Sequence, residues 1–319
     1  MSPGAEGEQR PGRPAVVVLA GGTGGAKLAR GMADAAGAER LAVIANTGDD
    51  IEIYGAHVSP DPDLVSFWLA DSIDERGWGL RDDTFAVMDA LRGLGRDVWF
   101  NLGDRDLAWC AERARMLAEG TTPTAALARL CAVTGVRSRV LPMCDEPVRT
   151  WVCTEASGWR PFQEFMIRWK AQGPVTGVEF RGAERAAPST DVLDAIASAE
   201  AIVIGPSNPI ASIAPILAVP GMRESLREAP APVVAVSPIV GGEVLKGPTA
   251  AFMDHAGFGV DAAGVAGYYG ELLDGIVCDE EPPAGGPAGL RTDTRMDDAA
   301  ARAGLAERTL AFAASLAAG

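Results

Sequence analysis

Ala15-Val-Val-Val-Leu-Ala20 runs directly into Gly21-Gly-Thr-Gly-Gly25-Ala-Lys27, then through a stretch of helical composition, Ala26 to Ala36, to Leu41-Ala-Val-Ile-Ala45. A continuous apolar run of strand length, closed by glycines, reads as a strand buried on both faces of a parallel sheet. Strand, glycine turn, helix and strand make a βαβ unit. The pattern returns late in the chain: Thr190 opens a helical stretch to Ala199, Ala201-Ile-Val-Ile204 is a third buried run, and Pro232-Val-Val-Ala-Val236 a fourth. Two α/β segments therefore bracket a different middle.

Residues 61–134 read as helices, with Asp61-Pro62 as a cap followed by proline, Asp83-Thr84 opening a second helix and Asp106 a third. Residues 148–180 alternate, as in Phe162-Gln-Glu-Phe-Met-Ile-Arg-Trp169, and predict an antiparallel hairpin or meander. Asp297 to Ala318 is an Ala- and Leu-rich helix. The expected fold class is α/β: a Rossmann-like parallel sheet with a helical and β insertion. Its expected division is a disordered tail over 1–14, a nucleotide-binding core from 15–60 and 185–319, and an insertion over 61–184.

With 319 residues, 48% of them apolar and 22% charged, the chain can hold a core without disulfides or metal. The balance of 28 basic against 43 acidic residues, net −15, disfavours a nucleic-acid backbone as partner. No apolar run reaches the ~20 residues of a membrane helix, and Met1 to Ala15 lacks the apolar segment of a signal peptide. Five cysteines, an odd set without a C-x-x-C pair, fit a reducing compartment, and a cytoplasmic location is expected.

Four loops are expected to converge on the carboxyl edge of the sheet, where open α/β sheets bind ligands. Gly22, Thr23, Gly24 and Gly25 offer close approach and free N–H groups at a helix start, and Lys27 adds a cation there; phosphate binding and a tight turn both explain the glycines. The spacing fits neither the dinucleotide nor the Walker fingerprint. Asn46-Thr-Gly-Asp-Asp50 offers polar recognition, a metal site or an Asx turn. Ser59-Pro-Asp-Pro-Asp63 places Asp61 and Asp63 at a helix start, as dipole partners or as hard oxygen ligands for Mg²⁺. Ser207 and Asn208, in Gly205-Pro-Ser-Asn-Pro209, offer donors and acceptors, and Ser237-Pro-Ile239 follows the next strand. In Asn101-Leu-Gly-Asp-Arg-Asp106, Asp106 is expected as a cap, with Asp104 and Arg105 free to act. His57 and His255 are the only histidines and neither has an evident partner, so a His-based triad or zinc site is disfavoured.

Together with Trp78-Gly-Leu-Arg-Asp-Asp-Thr-Phe85, Leu102–Leu107, Leu141-Pro-Met143 and Phe162–Phe165, these blocks resemble the 2-phospho-L-lactate transferase family (CofD/FbiA) of coenzyme F-420 biosynthesis, over about Val16 to Tyr269. The resemblance implies transfer of a phospholactyl or phosphoenolpyruvyl group from a GMP-activated donor to the ribityl alcohol of the deazaflavin Fo, with GMP leaving and Mg²⁺ required. It also implies that Asp63 and Asn101 contact Fo, although many relatives carry lysine where Asn101 stands. An Ala- and Arg-rich composition looks actinobacterial, which points to the phosphoenolpyruvyl donor.

From these readings Asp50, Asp61 and Asp63 are expected as metal ligands, with Asp49 as the alternative to Asp50. Asp50 and Asp63 are expected to be catalytic, with Asp63 also deprotonating the alcohol. The glycine turn and Lys27 are expected on the donor diphosphate, and Trp68, Trp78, Phe85 and Trp99 as aromatic faces for Fo, bound between the insertion and the sheet edge. The expected partners are small molecules, with a homodimer allowed. The rival readings are a nucleotide-sugar-binding regulator of a related group, which shares the first two loops, and an NAD-dependent dehydrogenase, which lacks its fingerprint here.

Overall fold

The computed structural model describes residues 15–244 and 247–318. The tail expected over 1–14, and Lys246, lie outside the described residues. The main sheet is built from β1 (Val16–Ala20), β2 (Leu41–Ala45), β5 (Arg139–Pro142), β9 (Ala201–Ile204), β10 (Val233–Val236), β13 (Gly275–Cys278) and β14 (Ala288–Arg291). Its order is β14-β13-β10-β9-β1-β2-β5, and every pair is parallel. The chain thus confirms the Rossmann-like α/β class.

Both faces of the sheet's centre are apolar, which is why β1, β2, β9 and β10 read as unbroken hydrophobic runs, whereas the edge strand β14 is largely exposed. Val17, Leu19, Ile44 and Ile202 point into one layer with Phe165, Ile210 and Phe252. Val16, Val18, Val43 and Val203 point into the other, with Leu28, Met32, Trp68 and Leu305. Helices α1 (Gly22–Ala36) and α2 (Pro60–Leu69) and the C-terminal helix Ala299–Ala317 supply this second layer. A fully buried Leu28 contributes about 1.5–3 kcal/mol by removal from water. Gly31 of α1 lies against the carbonyl of Arg302 so closely that a Cβ would sit 2.5 Å from its oxygen.

Two smaller sheets stand outside the main one. A hairpin, β3 (Ile51–Ile53) and β4 (Ala56–Val58), follows β2. Its turn, Tyr54-Gly55, has positive φ at both residues (54° and 78°), the condition of a type I′ hairpin. An antiparallel sheet is formed by β6 (Arg149–Thr154), β7 (Gly158–Pro161) and β8 (Val175–Arg181) in the order β7-β6-β8. A two-residue pair, β11 (Ile239–Val240) with β12 (Glu243–Val244), completes the strands.

The middle of the chain supplies α3 (Ala86–Gly93), α4 (Asp104–Ala118) and α5 (Pro123–Val133) before returning as β5 to the edge of the main sheet. The 61–184 interval thus carries a strand of the main sheet as well as the helical and β additions. One expectation is corrected here: Phe162–Ile167 is a helix, α6, and only Gly158–Pro161 before it is extended. The buried residues of α6 are Phe162 and Phe165, three apart, so the helical period prevailed over the apparent alternation.

Candidate functional site

The order of strands reverses beside β1: β2 and β5 lie to one side, and β9, β10, β13 and β14 to the other. A crevice outside the carboxyl ends at such a reversal is where open α/β sheets hold ligands. Gly21 leaves β1 there, Asn46 leaves β2 and Gly205 leaves β9. The latter two are still bonded into the ladder, through Asn46 N to Ala20 O (3.0 Å) and Gly205 N to Leu19 O (2.9 Å).

The glycine segment is not a loop before α1; Gly22 to Gly25 form its first turn, entered from an extended Gly21 whose N-cap has no side-chain bond. Glycine is required by packing. A Cβ on Gly21 would lie 2.6 Å from Ser212 Cβ, one on Gly25 2.7 Å from Ser207 Oγ, and one on Gly24 would enter the Pro206 carbonyl. Gly22 has φ +63, the left-handed region. Two turn amides are held by side chains: Gly22 N donates to Asp61 Oδ1 at 2.7 Å and Gly21 N to Ser207 Oγ at 3.2 Å. Lys27 falls in the second turn rather than the first. Its Nζ donates to the Met296 carbonyl at 3.2 Å and stands 5.9 Å from the Trp68 ring centre.

Asn46 gathers two carboxylates under this turn. Its Nδ2 donates to Asp49 Oδ1 at 3.1 Å and to Asp61 Oδ2 at 2.9 Å, while its Oδ1 accepts from Gly48 N at 2.7 Å. All three side chains are buried. Burial pushes the Asp61 carboxyl up to about 6, against the pull of Gly22 N–H and Asn46, with the Asp50 charge adding to the rise. Burial and the Asp61 charge push Asp49 well above the ordinary carboxylate range.

Asp50 turns to a separate cluster. It accepts from Ser59 Oγ at 2.7 Å and faces His57 Nε2 at 3.1 Å, and His57 Nδ1 meets Glu52 at 2.6 Å. Burial alone would lower the His57 pKa, but its hydrogen bonds to Asp50 and Glu52 prevail and raise it to about 9. His57, expected to lack a partner, has two. A cavity of about 10 Å³ touches Thr47, Asp50, His57, Ser59 and Arg113, space for roughly one water molecule.

Asp63 turns to a third cluster. Arg113 of α4 pairs with both of its oxygens, Trp109 Nε1 donates to it at 2.7 Å, and the second Arg113 nitrogen bond, Nη1 to Oδ2, is 3.0 Å. Arg113 Nη1 also donates to the His57 carbonyl at 3.0 Å, joining α2, α4 and the β3–β4 hairpin through one buried guanidinium. Beside it, burial first and then the Asp63 and Asp83 charges push Asp106 up to about 7. Asp63, Asp106 and Cys110 hold ligand-type atoms within 4.8 Å of one another, the one such trio among the described residues. Asp50, Asp61 and Asp63 are therefore not drawn to one point.

Ser207 is buried against Gly21, and Asn208 Oδ1 accepts from Ile210 N and Ala211 N at 3.0 Å, capping the π-helical turn Pro209–Ile213. Asn101 Oδ1 accepts from Arg92 Nη2 at 2.7 Å. Asp104, expected free, accepts from Ala86 N and Val87 N at 3.0 Å at the start of α3. Asp83 in turn accepts from Arg105 N at 2.9 Å and Asp106 N at 3.1 Å at the start of α4. The two helices are capped reciprocally, and Asp106 is not the cap. Trp68 is in the core with the Arg302 guanidinium 5.0 Å from its ring centre; Trp99 packs edge-on against Phe100, Phe85 is half-buried, and Trp78 is exposed.

For a divalent cation, the fitting donors are Asp49 and Asp61. Two buried carboxylates on one amide, both pushed toward their neutral forms, are hard oxygen ligands whose repulsion a cation would reverse. Asp50 and Asp63 are already balanced by His57 and Arg113.

Residues 16–298 match the family model described as 2-phospho-L-lactate transferase CofD. The chain is 40% identical over 270 residues to the 2-phospho-L-lactate transferase of Methanosarcina mazei, covering 84% of this chain and 88% of that protein. It is 42% identical over 311 residues to the phosphoenolpyruvate transferase of Streptomyces griseus, covering 93% and 98%. The solved structure of a Bacillus halodurans protein superposes with a TM-score of 0.54 at 22% identity, over 86% of this chain and 82% of that one, a likeness of fold.

Proposed function

This chain belongs to the 2-phospho-L-lactate transferase family, and from that premise we propose that it transfers a phosphoenolpyruvyl or 2-phospho-L-lactyl group from a GMP-activated donor to the ribityl hydroxyl of Fo. The observation that carries the reading is the meeting, at the strand-order reversal, of the α1 N-terminus, the Asp49–Asp61 pair and the Ser207 loop. The first turn of α1 presents backbone N–H groups to an anion, and its positive dipole end favours the donor's diphosphate. Asp61 fixes that turn through Gly22 N–H, and Asn46 sets Asp49 beside it. Asp49 and Asp61 would hold Mg²⁺, which when bound neutralises phosphate charge and favours departure of GMP.

The transfer runs directly to the alcohol. Burial pushes the thiols of Cys131 and Cys278 up to about 11 and that of Cys144 up to about 12, and Cys110 also well upward, so these four stay protonated and un-nucleophilic. His57 is held between two carboxylates, and His255 is exposed at a helix end. Among the described residues no helix is long and apolar enough to cross a membrane. The test is incubation of the purified protein with Fo and each donor separately, following GMP release and the deazaflavin product, with Mg²⁺ and with EDTA. Turnover with one donor that stops in EDTA and returns with Mg²⁺ is expected. No GMP from either donor, full turnover in EDTA, or a trapped protein adduct would overturn the reading.

A further inference from the structure

Between α2 and α3 the chain makes a short hairpin whose tip stands beside the start of α1. Ile73 bridges Leu80, Asp74 N donates to Gly79 O at 3.0 Å, and Gly77 N to Asp74 O at 2.9 Å. The base is fixed. Ile73 and Leu80 are buried in the core layer that holds Trp68, Arg30 of α1 pairs with Asp71 at 2.9 Å, and Arg105 of α4 donates to the Arg81 carbonyl at 3.1 Å.

The tip carries the feature that needs explaining. Gly77 is buried, and a Cβ on it would meet Thr23 Cγ2 of the α1 first turn at 3.8 Å. Its neighbour Trp78 is 48% exposed. A single exposed aromatic is ordinary; this one is held out by left-handed glycines on both sides, Gly77 at φ 84 and Gly79 at φ 70, where other side chains would strain. The Arg76 guanidinium lies 4.3 Å from its ring centre and is itself tied to Asp74 at 2.6 Å. An indole braced on one side by a cation, on a fixed hairpin one residue from the proposed anion site, presents an aromatic surface to a flat ring.

We propose that Trp78 is a recognition residue that stacks on the planar heterocycle of a substrate bound at the α1 N-terminus. This rests on the function proposed above, in which the guanine of the donor and the deazaflavin of Fo both offer such a ring. Arg76 holds the indole plane, and Gly77 sets its distance from Thr23. Stacking of a base on an aromatic side chain, measured by alanine substitution, corresponds to roughly ten- to hundredfold in affinity.

The experiment measures binding of GMP and of Fo, separately, by calorimetry to the wild-type protein, Trp78→Ala and Trp78→Phe, with melting temperatures alongside. Loss of about tenfold or more for GMP alone in Trp78→Ala assigns the guanine, and the same loss for Fo alone assigns the deazaflavin; either supports the proposal. Trp78→Phe is expected to stay within about threefold of wild type, since a benzene ring still stacks. Unchanged affinity for both ligands in Trp78→Ala overturns it, as does a phenylalanine variant as weak as the alanine one. A wild-type protein that binds neither ligand overturns the proposed function and this residue's role together, whereas a wild type that binds both, with Trp78→Ala indistinguishable from it, overturns this inference alone.

Discussion

Arg113→Met removes one half of a buried ion pair and leaves the other half in place. Arg113 and Asp63 are 3% and 4% exposed, and the guanidinium pairs with both Asp63 oxygens and bonds the His57 carbonyl. Breaking a buried pair by removing one partner costs about 3–5 kcal/mol, because the charge left behind cannot be solvated. Asp63→Asn strands the guanidinium and should cost a similar amount. The double variant, Asp63→Asn with Arg113→Met, strands neither charge, and the amide oxygen introduced by Asp63→Asn would still accept from Trp109 Nε1. Its cost should therefore fall short of the sum of the singles, by up to about 3 kcal/mol. For a chain this long, a loss of 1 kcal/mol lowers the melting temperature by about 2 °C, so each single variant should melt roughly 6–10 °C early. The assay is urea and thermal unfolding of the four proteins by far-ultraviolet circular dichroism. Additive losses, or an Arg113→Met protein within about 1 kcal/mol of wild type, would refute the assignment of this pair as the joint between α2, α4 and the β3–β4 hairpin.

Two further outcomes are expected. Gly24→Ala drives a Cβ into the Pro206 carbonyl; it should cost about 1–3 kcal/mol and weaken GMP binding more than Fo binding in calorimetry, and wild-type stability with unchanged GMP affinity would contradict the close packing of the two loops. His57 has a folded pKa of about 9, raised above the ordinary histidine value of 6.5. Its stabilisation is thus complete below pH 6.5 and lost as pH rises through 9, by at most about 3 kcal/mol. Urea midpoints of wild type and His57→Gln should converge over that window, and parallel curves would count against it.

Four strands of the main sheet, β1, β2, β9 and β10, were legible because their chemistry is uniform; β5, β13 and β14 were not, and β5 and β14 carry an arginine each, with β14 largely exposed. Leu41–Ala45 and Ala201–Ile204 are strands to the residue, since a strand covered on both faces needs apolar residues at every position. The β3–β4 hairpin was not, because its turn uses Tyr54 where Asn or Asp would have signalled a type I′ turn. The convergence of the Gly21, Asn46 and Gly205 loops followed from strand polarity alone. Which carboxylate of Asp49-Asp50 joins Asp61 did not. Adjacent side chains of that loop point to different clusters, a matter of backbone direction that composition does not encode. Arg113 carried no local signal at all: its partner lies 50 residues away, and the packing of α4 against β4, the strand that leads into α2, brings them together.

The reciprocal caps of α3 and α4 make one unit of two helices. Each start depends on a carboxylate from the other: Asp104 holds the Ala86 and Val87 amides, and Asp83 holds those of Arg105 and Asp106. Fraying of either helix withdraws the anion that closes its neighbour, so local opening here is cooperative across a gap of about twenty residues. The four amides should then exchange with solvent deuterium as a set, through a common opening event. Asn101 and Trp99 lie in the segment between these helices, so the motion available to that wall of the molecule is that of the whole corner and not of a single side chain.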